Sequence, residues 1–309
     1  MPSRIRAAHI SICVCTRERP RMLRKLIDSY LQLEIPEDIS VSLEVIENDT
    51  APGCKELVSQ YANQSVRYFH EPRLGIPFAR NRSVQAALNN GADFIAFVDD
   101  DEWFTKSWLT AIWGFYRSQP EGTVVQGAVT SILPANTPEH LHTFFQRKEL
   151  DTGSKLHMCR TNNVLVPASV FTIYKLRFDE SRPFAGGTDS KLFREAASLN
   201  VPLVYCAEAI VNEDVPPARI SYHWLTKRYF RIGLTLGEHQ GLVNPGSKAA
   251  HTIKRMASFV KYTLKSALYL ALNKKQKHMK SWLKGCQKLG EGLGPWGVKV
   301  DSYRDVQGN

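Results

Sequence analysis

Asp99-Asp100-Asp101-Glu102 sets four carboxylates in a row behind the apolar run Asp93 to Val98. Adjacent acids repel one another in a dry site, so the run calls for water or a cation. A hard divalent ion takes carboxylate oxygens, and magnesium takes one or two of them together with substrate phosphates. Asp99 and Asp101 project to one side if extended geometry persists, so one can meet a ribose and the other a metal on a diphosphate. The competing reading is a solvated acidic loop or a helix N-terminus, where acids suit the dipole.

Two further groups bear on the same chemistry. Leu74 to Asn81 (LGIPFARN) supplies Gly75, which allows close backbone approach, and Arg80, whose guanidinium can grip phosphate oxygens with two donors. Taken alone, this is also an ordinary helix entry with a surface arginine. Gly186-Gly187-Thr188-Asp189 offers a turn and then a carboxylate at a helix start. Asp189 is there either a helix cap or a general base that takes a proton from an attacking hydroxyl.

The elements that must position these groups are legible upstream. His9 to Cys15 reads as a buried strand, and Pro20 opens a helix with Leu23, Leu26, Ile27, Tyr30 and Leu31 on one face. Val41 to Glu47 reads as a second strand, Lys55 to Ala62 as a helix, Val66 to His70 as a third strand and Ile76 to Leu88 as a helix. Asp93 to Val98 is the fourth strand. This alternation implies a mostly parallel, Rossmann-like sheet with right-handed crossovers, which binds ligands at the carboxyl ends of its strands. Three polar clusters fall at such ends: Thr16-Arg17-Glu18-Arg19, Asn48-Asp49 and Asp99 to Glu102. Further on, Val124 to Ile132, Asn163 to Val166 and Leu203 to Tyr205 read as strands, Asn136 to Asp151 as a loop with a short helix, and Ser190 to Ser198 as a helix.

Composition sets the bounds. The chain has 309 residues, 43% of them hydrophobic, and a net charge of +10, which suits one large α/β domain with an appendage or two modest domains. Residues up to 215 carry 23 Lys and Arg against 26 Asp and Glu; the remainder carry 17 against 4. The division expected is therefore an α/β domain over 8–215 and a basic amphipathic helical region over 216–309. In the latter, Leu225, Tyr229, Ile232 and Leu236 form one stripe, and Ile253, Met256, Val260, Leu264, Ala267 and Ala271 a second, beside Lys254, Lys261 and Lys265. Residues 221–284 are accordingly expected to contact an anionic membrane surface; a solvated helical cap is the plainer reading. The start, Met1 to Ala8, is basic without an apolar segment, and no run approaches the roughly 18 apolar residues of a membrane span. A cytoplasmic chain, peripheral on the inner face of the cell membrane, is expected. The six cysteines lack CxxC pairing and read as buried free thiols.

Together SICVCTRERP, VIENDT, GIPFARNRSV, FIAFVDDDEW, GGTDSKLFRE and VPPARISYHWLTKRYFRIG resemble glycosyltransferase family 2, the inverting enzymes of GT-A fold, from about His9 to Gly237. The likeness is greatest to bacterial exopolysaccharide glycosyltransferases of the succinoglycan-assembly type. It implies transfer of one sugar from a nucleotide donor, a UDP-hexose, to a saccharide or polyprenyl-diphosphate-linked saccharide, with Mn2+ or Mg2+ as cofactor. It implies that Thr16 and Glu18, with Arg17 between them, line the nucleoside pocket, that Asp49 reads the base and that Arg80 with Gly75 lies near the diphosphate. Asp99 and Asp101 match the DxD pair, Asp101 as the metal ligand, with Asp100 in support. Asp189 matches the catalytic base, and Glu102 and Trp103 the acceptor side. Two departures stand out. Thr188 precedes Asp189 where the family often has glutamate, and Glu213-Asp214 stand where it often has a metal-binding histidine, which makes Glu213 a second candidate ligand.

The rival readings lack matching signals. A sugar-nucleotide nucleotidyltransferase wants a glycine-rich phosphate loop after the first strand, and Thr16 to Arg19 has no glycine. A basic nucleic-acid-binding protein shows neither zinc-finger spacing nor an RNA-recognition signature, so no nucleic acid is expected as partner. A processive synthase would carry a QxxRW motif, which is missing.

Overall fold

The computed structural model describes residues 7–298 apart from 148, 182, 185, 186 and 244–246, and the side chains of 239–243. The basic start before Ala7, Gly186 of the expected turn, and the end of the basic region from 299 on lie outside the described residues.

In chain order, β1 (Ala8–Thr16), α1 (Pro20–Tyr30), β2 (Ile39–Glu47), α2 (Lys55–Ser59), β3 (Val66–His70), α3 (Ile76–Asn89) and β4 (Phe94–Asp99) give the alternation read from the sequence. Next come β5 (Glu102–Phe104), α4 (Trp108–Tyr116), β6 (Val124–Ile132), α5 (Glu139–His142), β7 (Val164–Pro167), α6 (Ser169–Thr172), α7 (Thr188–Ser198) and β8 (Leu203–Asp214). Three long helices follow: α8 (Tyr222–Val243), α9 (Lys248–Ala271) and α10 (Lys275–Leu293).

The strands form one sheet in the order β3-β2-β1-β4-β7-β6-β8-β5. The first four are mutually parallel, as is the β6–β8 pair. β7 runs antiparallel to both β4 and β6, and β5 antiparallel to β8. The all-parallel run of the first hundred residues therefore ends at β7. Strand alternation sends the two faces to different helix layers. Ile10, Ile12 and Val14 pack with Leu23, Leu26 and Ile27 of α1 and Trp108, Leu109 and Ile112 of α4. Cys13, Ile95 and Phe97 pack on the other side with Val84 and Ala87 of α3 and Leu192, Phe193 and Ala196 of α7. Of the helical stripe expected after Pro20, only Leu31 is exposed.

One feature of this sheet decides where the acidic cluster points. In a flat sheet β5 would lie four strand spacings, about 19 Å, from β4. The three Cα steps from Asp99 to Glu102 span at most about 11 Å. The sheet therefore curls, and the register shift between Gly127 and Ala128 on β6 is a local irregularity of the kind that bends strands. Curling returns the end of β8 to face the end of β4.

A third, smaller core joins the helices to the sheet domain through Leu225 of α8 and Met279 and Leu283 of α10, which meet Leu141, Phe145 and Val215. α8 and α10 pack at backbone distance: a Cβ on Gly237 would lie 2.2 Å from the Glu291 carbonyl oxygen. The α8 stripe is accordingly rotated from expectation. Leu225 and Leu234 are buried, whereas Ile232 and Leu236 are exposed.

Candidate active site

The carboxyl ends of β1, β2 and β4 lie side by side, with Thr16 opposite Glu47 and Cys15 opposite Asp99 in register. The three polar clusters thus share one edge. β4 stops at Asp99 and the chain turns through Asp100 and Asp101 into β5, so extended geometry does not persist and the three aspartates point to three different partners.

Asp100 is buried and fully engaged. Thr16 Oγ1 donates to its Oδ2 at 2.8 Å, and Arg19 donates to its Oδ1 at 2.7 Å. It locks the acidic turn to the end of β1. Asp101, also buried, meets Arg219 at 3.0 Å and Arg19 at 3.8 Å, both through Oδ2. Burial and the neighbouring Asp100 push its carboxyl up to about 7, against the pull of Arg219. Asp99 reaches open space, with a side chain 49% exposed, and its Oδ1 lies 4.0 Å from Arg80. Its surroundings are nevertheless crowded by protein. That desolvation raises its carboxyl, Arg80 opposes the shift, and Asp100, Glu213 and Asp189 add to it.

Arg80 is the hinge of the arrangement. Besides Asp99 it donates to Thr188 Oγ1 at 3.3 Å, on the first residue of α7. It therefore ties the acidic turn to the helix that carries Asp189. That helix begins after Gly187, held at φ +91°, and receives no side-chain cap. Asp189 sits one residue inside it, half-buried, with Oδ1 accepting the Ser190 N–H at 2.7 Å. The capping alternative is thus not realised in its usual form, and the second carboxylate oxygen is outside that bond.

The nucleoside-side candidates also gather. Arg17 Nε lies 3.8 Å from Asp49 Oδ1, and its far end 3.9 Å from Glu18. Glu18 is held at φ +53°, an uncommon backbone state for this residue type. Gly75, at φ +141°, is obligatory for two reasons: the backbone state, and Pro183, whose Cβ would lie 2.5 Å from an added Cβ. Its N–H donates to Asn48 Oδ1 at 2.9 Å, while Asn48 Nδ2 donates to the carbonyls of Glu71 and Arg73. Asn48 thereby fastens the loop before α3 to the end of β2.

The remaining candidates lie elsewhere. Glu102 is 2% exposed. Its Oε2 accepts the Asp99 N–H at 2.8 Å, and its Oε1 has no hydrogen-bond partner among the described residues. Burial and Asp99 raise its carboxyl well above the usual range. Glu102 thus braces the turn from inside instead of facing an acceptor, because β5 turns it inward. Trp103 has one ring face covered by Lys25 Nζ at 4.5 Å and donates through Nε1 to Asp214 at 3.3 Å. Glu213 has both oxygens in arginine contacts, Oε2 with Arg147 at 2.5 Å and Oε1 with Arg219 at 3.5 Å. Burial alone would raise its carboxyl, but Arg147 and Arg219 hold it below the ordinary value.

These contacts decide which groups suit a divalent ion. The donor set is carboxylate oxygen, right for a hard cation. Asp99, and Asp101 through its Oδ1, fit one that takes its other ligands from phosphates. Glu213 does not fit, since an ion there would displace two guanidiniums. No cluster of three or more metal-ligating side chains occurs among the described residues. Cys15, beside Asp99 in register, has its thiol pushed up to about 12 by burial, so it stays protonated and is no nucleophile. All six cysteines are free, and five are buried.

Sequence reasoning missed four residues of the site. Arg19 and Asn48 stood inside clusters already picked out, and Arg219 inside the VPPARI segment. Arg147 carried no sequence signal, because only the curl of the sheet brings its loop to Glu213.

The model of a family described as Glycosyl transferase family 2 matches residues 11–182. The succinoglycan biosynthesis protein ExoM of Rhizobium meliloti (strain 1021) is 30% identical over 234 residues, 74% of each chain. Among solved structures, S. aureus TarS 1-349 covers 92% of this chain and of its own at a TM-score of 0.55 and 14% identity. TarS has also been solved with UDP and with UDP-GlcNAc. GalNAc-T7 with UDP, GalNAc and Mn2+ covers 68% of this chain and 44% of its own, at a TM-score of 0.55 and 13% identity. The fold is accordingly of the GT-A type.

Proposed function

The chain belongs to glycosyltransferase family 2, and from that premise we propose that it is an inverting, metal-assisted enzyme that moves one hexose from a UDP-sugar to a lipid-linked saccharide in cell-surface polysaccharide synthesis. One observation carries the reading: Arg80 contacts both the Asp99 carboxylate and Thr188, next to Asp189. A phosphate-gripping cation, an acidic strand end and a carboxylate at a helix start thus stand together, which is what displacement at an anomeric carbon requires.

In this reading Arg17, Glu18 and Asp49 hold the nucleoside, and Asp100 keeps the acidic turn in place through Thr16 and Arg19. Asp189 takes the proton from the acceptor hydroxyl. The hydroxyl oxygen bonds to the anomeric carbon as the bond to the nucleoside diphosphate breaks, and configuration inverts. Arg80 meets the charge that develops on the departing diphosphate. A divalent ion held by Asp101, with Asp99 beside it, would supply Lewis-acid stabilisation of the same charge. UDP as the donor nucleotide draws support from the TarS and GalNAc-T7 complexes, and a role in polysaccharide assembly from the ExoM likeness.

The extension from 216 onward we assign to the membrane surface. No helix among the described residues is long and apolar enough to cross a membrane. The apolar stripe of α9 instead faces outward: Ile253, Val260, Leu264 and Leu268 are 54–70% exposed. Its inward face is mixed: His251, Thr252 and Arg255 are bonded to Glu291 or Gly292 of α10, and Met256, Phe259 and Tyr262 lie against Gly285 and Gly292 of the same helix. Exposed Lys254, Lys261 and Lys265 flank the stripe. An apolar face bordered by lysines suits an anionic bilayer.

The test is a panel of nucleotide-sugars assayed for release of nucleoside diphosphate with Mn2+, Mg2+ or EDTA. UDP release that requires a divalent ion is expected. Turnover of no sugar nucleotide, with or without acceptor, would remove the proposal.

A further inference from the structure

Asn163 stands at the seam between the parallel half of the sheet and the half that curls. It comes one residue before Val164, which pairs with Phe97 of β4, two positions short of Asp99. Its backbone is held at φ +58°, a left-handed state that asparagine tolerates better than most residues. Its side chain is wholly buried, and each of its polar atoms is engaged. Nδ2 donates to the Ala128 carbonyl of β6 at 2.6 Å and to the Ala209 carbonyl of β8 at 2.7 Å. Oδ1 accepts from the Trp108 indole, at the start of α4, at 2.7 Å.

Those two carbonyls mark a step in the β6–β8 ladder. Gly127 pairs with Cys206, but Ala128 pairs with Ile210. Three residues of β8 therefore fall between neighbours on β6. Such a step disrupts the ladder, and here a side-chain donor serves the main-chain acceptors at the break. The fit is close. A Cβ on Gly127 would lie 2.4 Å from Asn163 Nδ2 and 2.5 Å from the Ala209 carbonyl oxygen. The Gly127 N–H in turn donates to the Asn163 carbonyl at 2.8 Å.

The step governs the far side of the acidic turn. Beyond it β8 runs on to Asp214 and carries β5, with Phe104 opposite Val211 and Glu102 opposite Glu213. Thr105 Oγ1 donates to the Ile210 carbonyl at 2.9 Å, and the Asp214 N–H to the Asp101 carbonyl at 3.2 Å. The Asp101 carboxylate meets Arg219, just beyond β8, at 3.0 Å. The near side of the turn is held separately, by Thr16 and Arg19 on Asp100. Asp101 is thus placed chiefly from β8, and Asp99 and Asp100 from β4 and β1. A change of tilt at the step would move Asp101 against the other two. It would leave the strand ends that carry Thr16, Asn48 and Asp49 where they are.

We infer that Asn163 is a positioning residue for transfer: by clasping β6, β8 and Trp108 at the step, its amide sets where Asp101 stands relative to Asp99. The inference rests on the glycosyl-transfer reading above. Its expected size is large for a residue so far from the chemistry, because a misplacement of about 1 Å can cost roughly 100-fold in rate.

Asn163→Gly is the test, since glycine accepts the left-handed backbone and only the amide is removed. Its kcat for UDP release, per folded molecule, is expected to fall by about 10- to 100-fold. UDP affinity, measured calorimetrically in metal-free buffer, is expected to stay within about twofold, because the nucleoside side does not depend on the step. Amide hydrogen exchange is expected to quicken at Trp103, Phe104 and Val211 to Glu213, and to stay unchanged at Ile12 to Cys15 and Leu43 to Ile46. Trp108→Phe keeps an aromatic ring but releases the Asn163 amide from its orientation. It is expected to show the same pattern at smaller amplitude, and it decides the matter if Asn163→Gly does not fold. The inference is overturned if kcat per folded molecule is unchanged, if UDP affinity falls in step with kcat, or if exchange quickens evenly across the sheet. Each of these would make Asn163 a general support of the fold. A wild type that turns over no sugar nucleotide would strike the glycosyl-transfer reading, while the exchange pattern would still decide whether Asn163 sets the place of β5 and Asp101.

Discussion

Arg80 and Thr188 are 108 residues apart in the chain and 3.3 Å apart in the fold. The contact joins α3, which brings a cation to the acidic turn, to α7, which brings Asp189. The departure from the glutamate common at this place in the family therefore has a structural use: Thr188 offers Arg80 a hydroxyl acceptor without adding a carboxylate to an already acidic edge.

Replacing Arg80 is expected to separate its two duties. Hydrogen bonds to a charged group are worth about 1.5–3 kcal/mol, or roughly 10–100-fold in rate. Arg80→Ala is expected to lower kcat by about 100-fold. Arg80→Lys restores charge but not the two-way fork and is expected to recover only part. Thr188→Val removes one contact and is expected to cost about tenfold or less. Steady-state release of UDP measures all three; full activity in Arg80→Lys would show that charge alone matters.

Asp189→Asn keeps the size of the side chain and the contact to the Ser190 N–H, but it cannot accept a proton. General-base loss typically costs about 10²–10⁴-fold, so transfer is expected to fall into that range. UDP affinity, measured by calorimetry, is expected to stay within about twofold. Near-normal turnover would sink the assignment of Asp189 as base.

Much of this site was legible because strand ends announce themselves. An apolar run that stops at Asp99, Glu47 or Thr16 marks a sheet edge, and parallel pairing places those edges together. What was not legible depends on the curl of the sheet. Glu213 is 114 residues beyond Asp99, and nothing local tells it that Arg147 and Arg219 will hold both of its oxygens. Its expected role as a metal ligand fails on that account. Glu102 misled for a different reason: its neighbours in sequence are functional candidates, but β5 turns its side chain into the protein. The third helix, α10, escaped notice because its buried apolar row is short, Met279, Leu283 and Cys286, and close glycine contacts supply the rest of its seat on α8.

Asp179 and Lys191 offer a pH test of how α7 is held. Lys191 of α7 donates to Asp179 at 2.6 Å, and Ser181 adds two more bonds. The Lys191 hydrogen bond, followed by those of Ser181, lowers the Asp179 carboxyl to about 2. A depressed acid stabilises the fold above its unfolded value of about 3.9, and that contribution is lost as pH falls through about 2. With Lys191 mostly exposed, about 1 kcal/mol is expected. Asp179→Asn should therefore lower Tm at pH 6–8, and the gap to the wild type should close as the pH approaches 2. A gap that persists there would mean that the contact acts through packing instead of charge.

The outward stripe of α9 sets the last test. Met256, Phe259 and Tyr262 face α10 together with His251, Thr252 and Arg255, yet a second apolar row, Ile253, Val260, Leu264 and Leu268, faces out. Each flanking lysine adds about 1 kcal/mol near an anionic surface, and burying each leucine adds roughly 1.5–3 kcal/mol at most. The wild type is expected to co-sediment with phosphatidylglycerol vesicles at low salt and to release partially at high salt. Leu264→Glu with Leu268→Glu should abolish sedimentation without lowering Tm, since neither side chain supports the fold. Lys254→Gln, Lys261→Gln and Lys265→Gln together should weaken binding and flatten its salt dependence. A wild type that remains in the supernatant at low salt, or that instead dimerises through this face in sedimentation equilibrium, would take the membrane role away from α9.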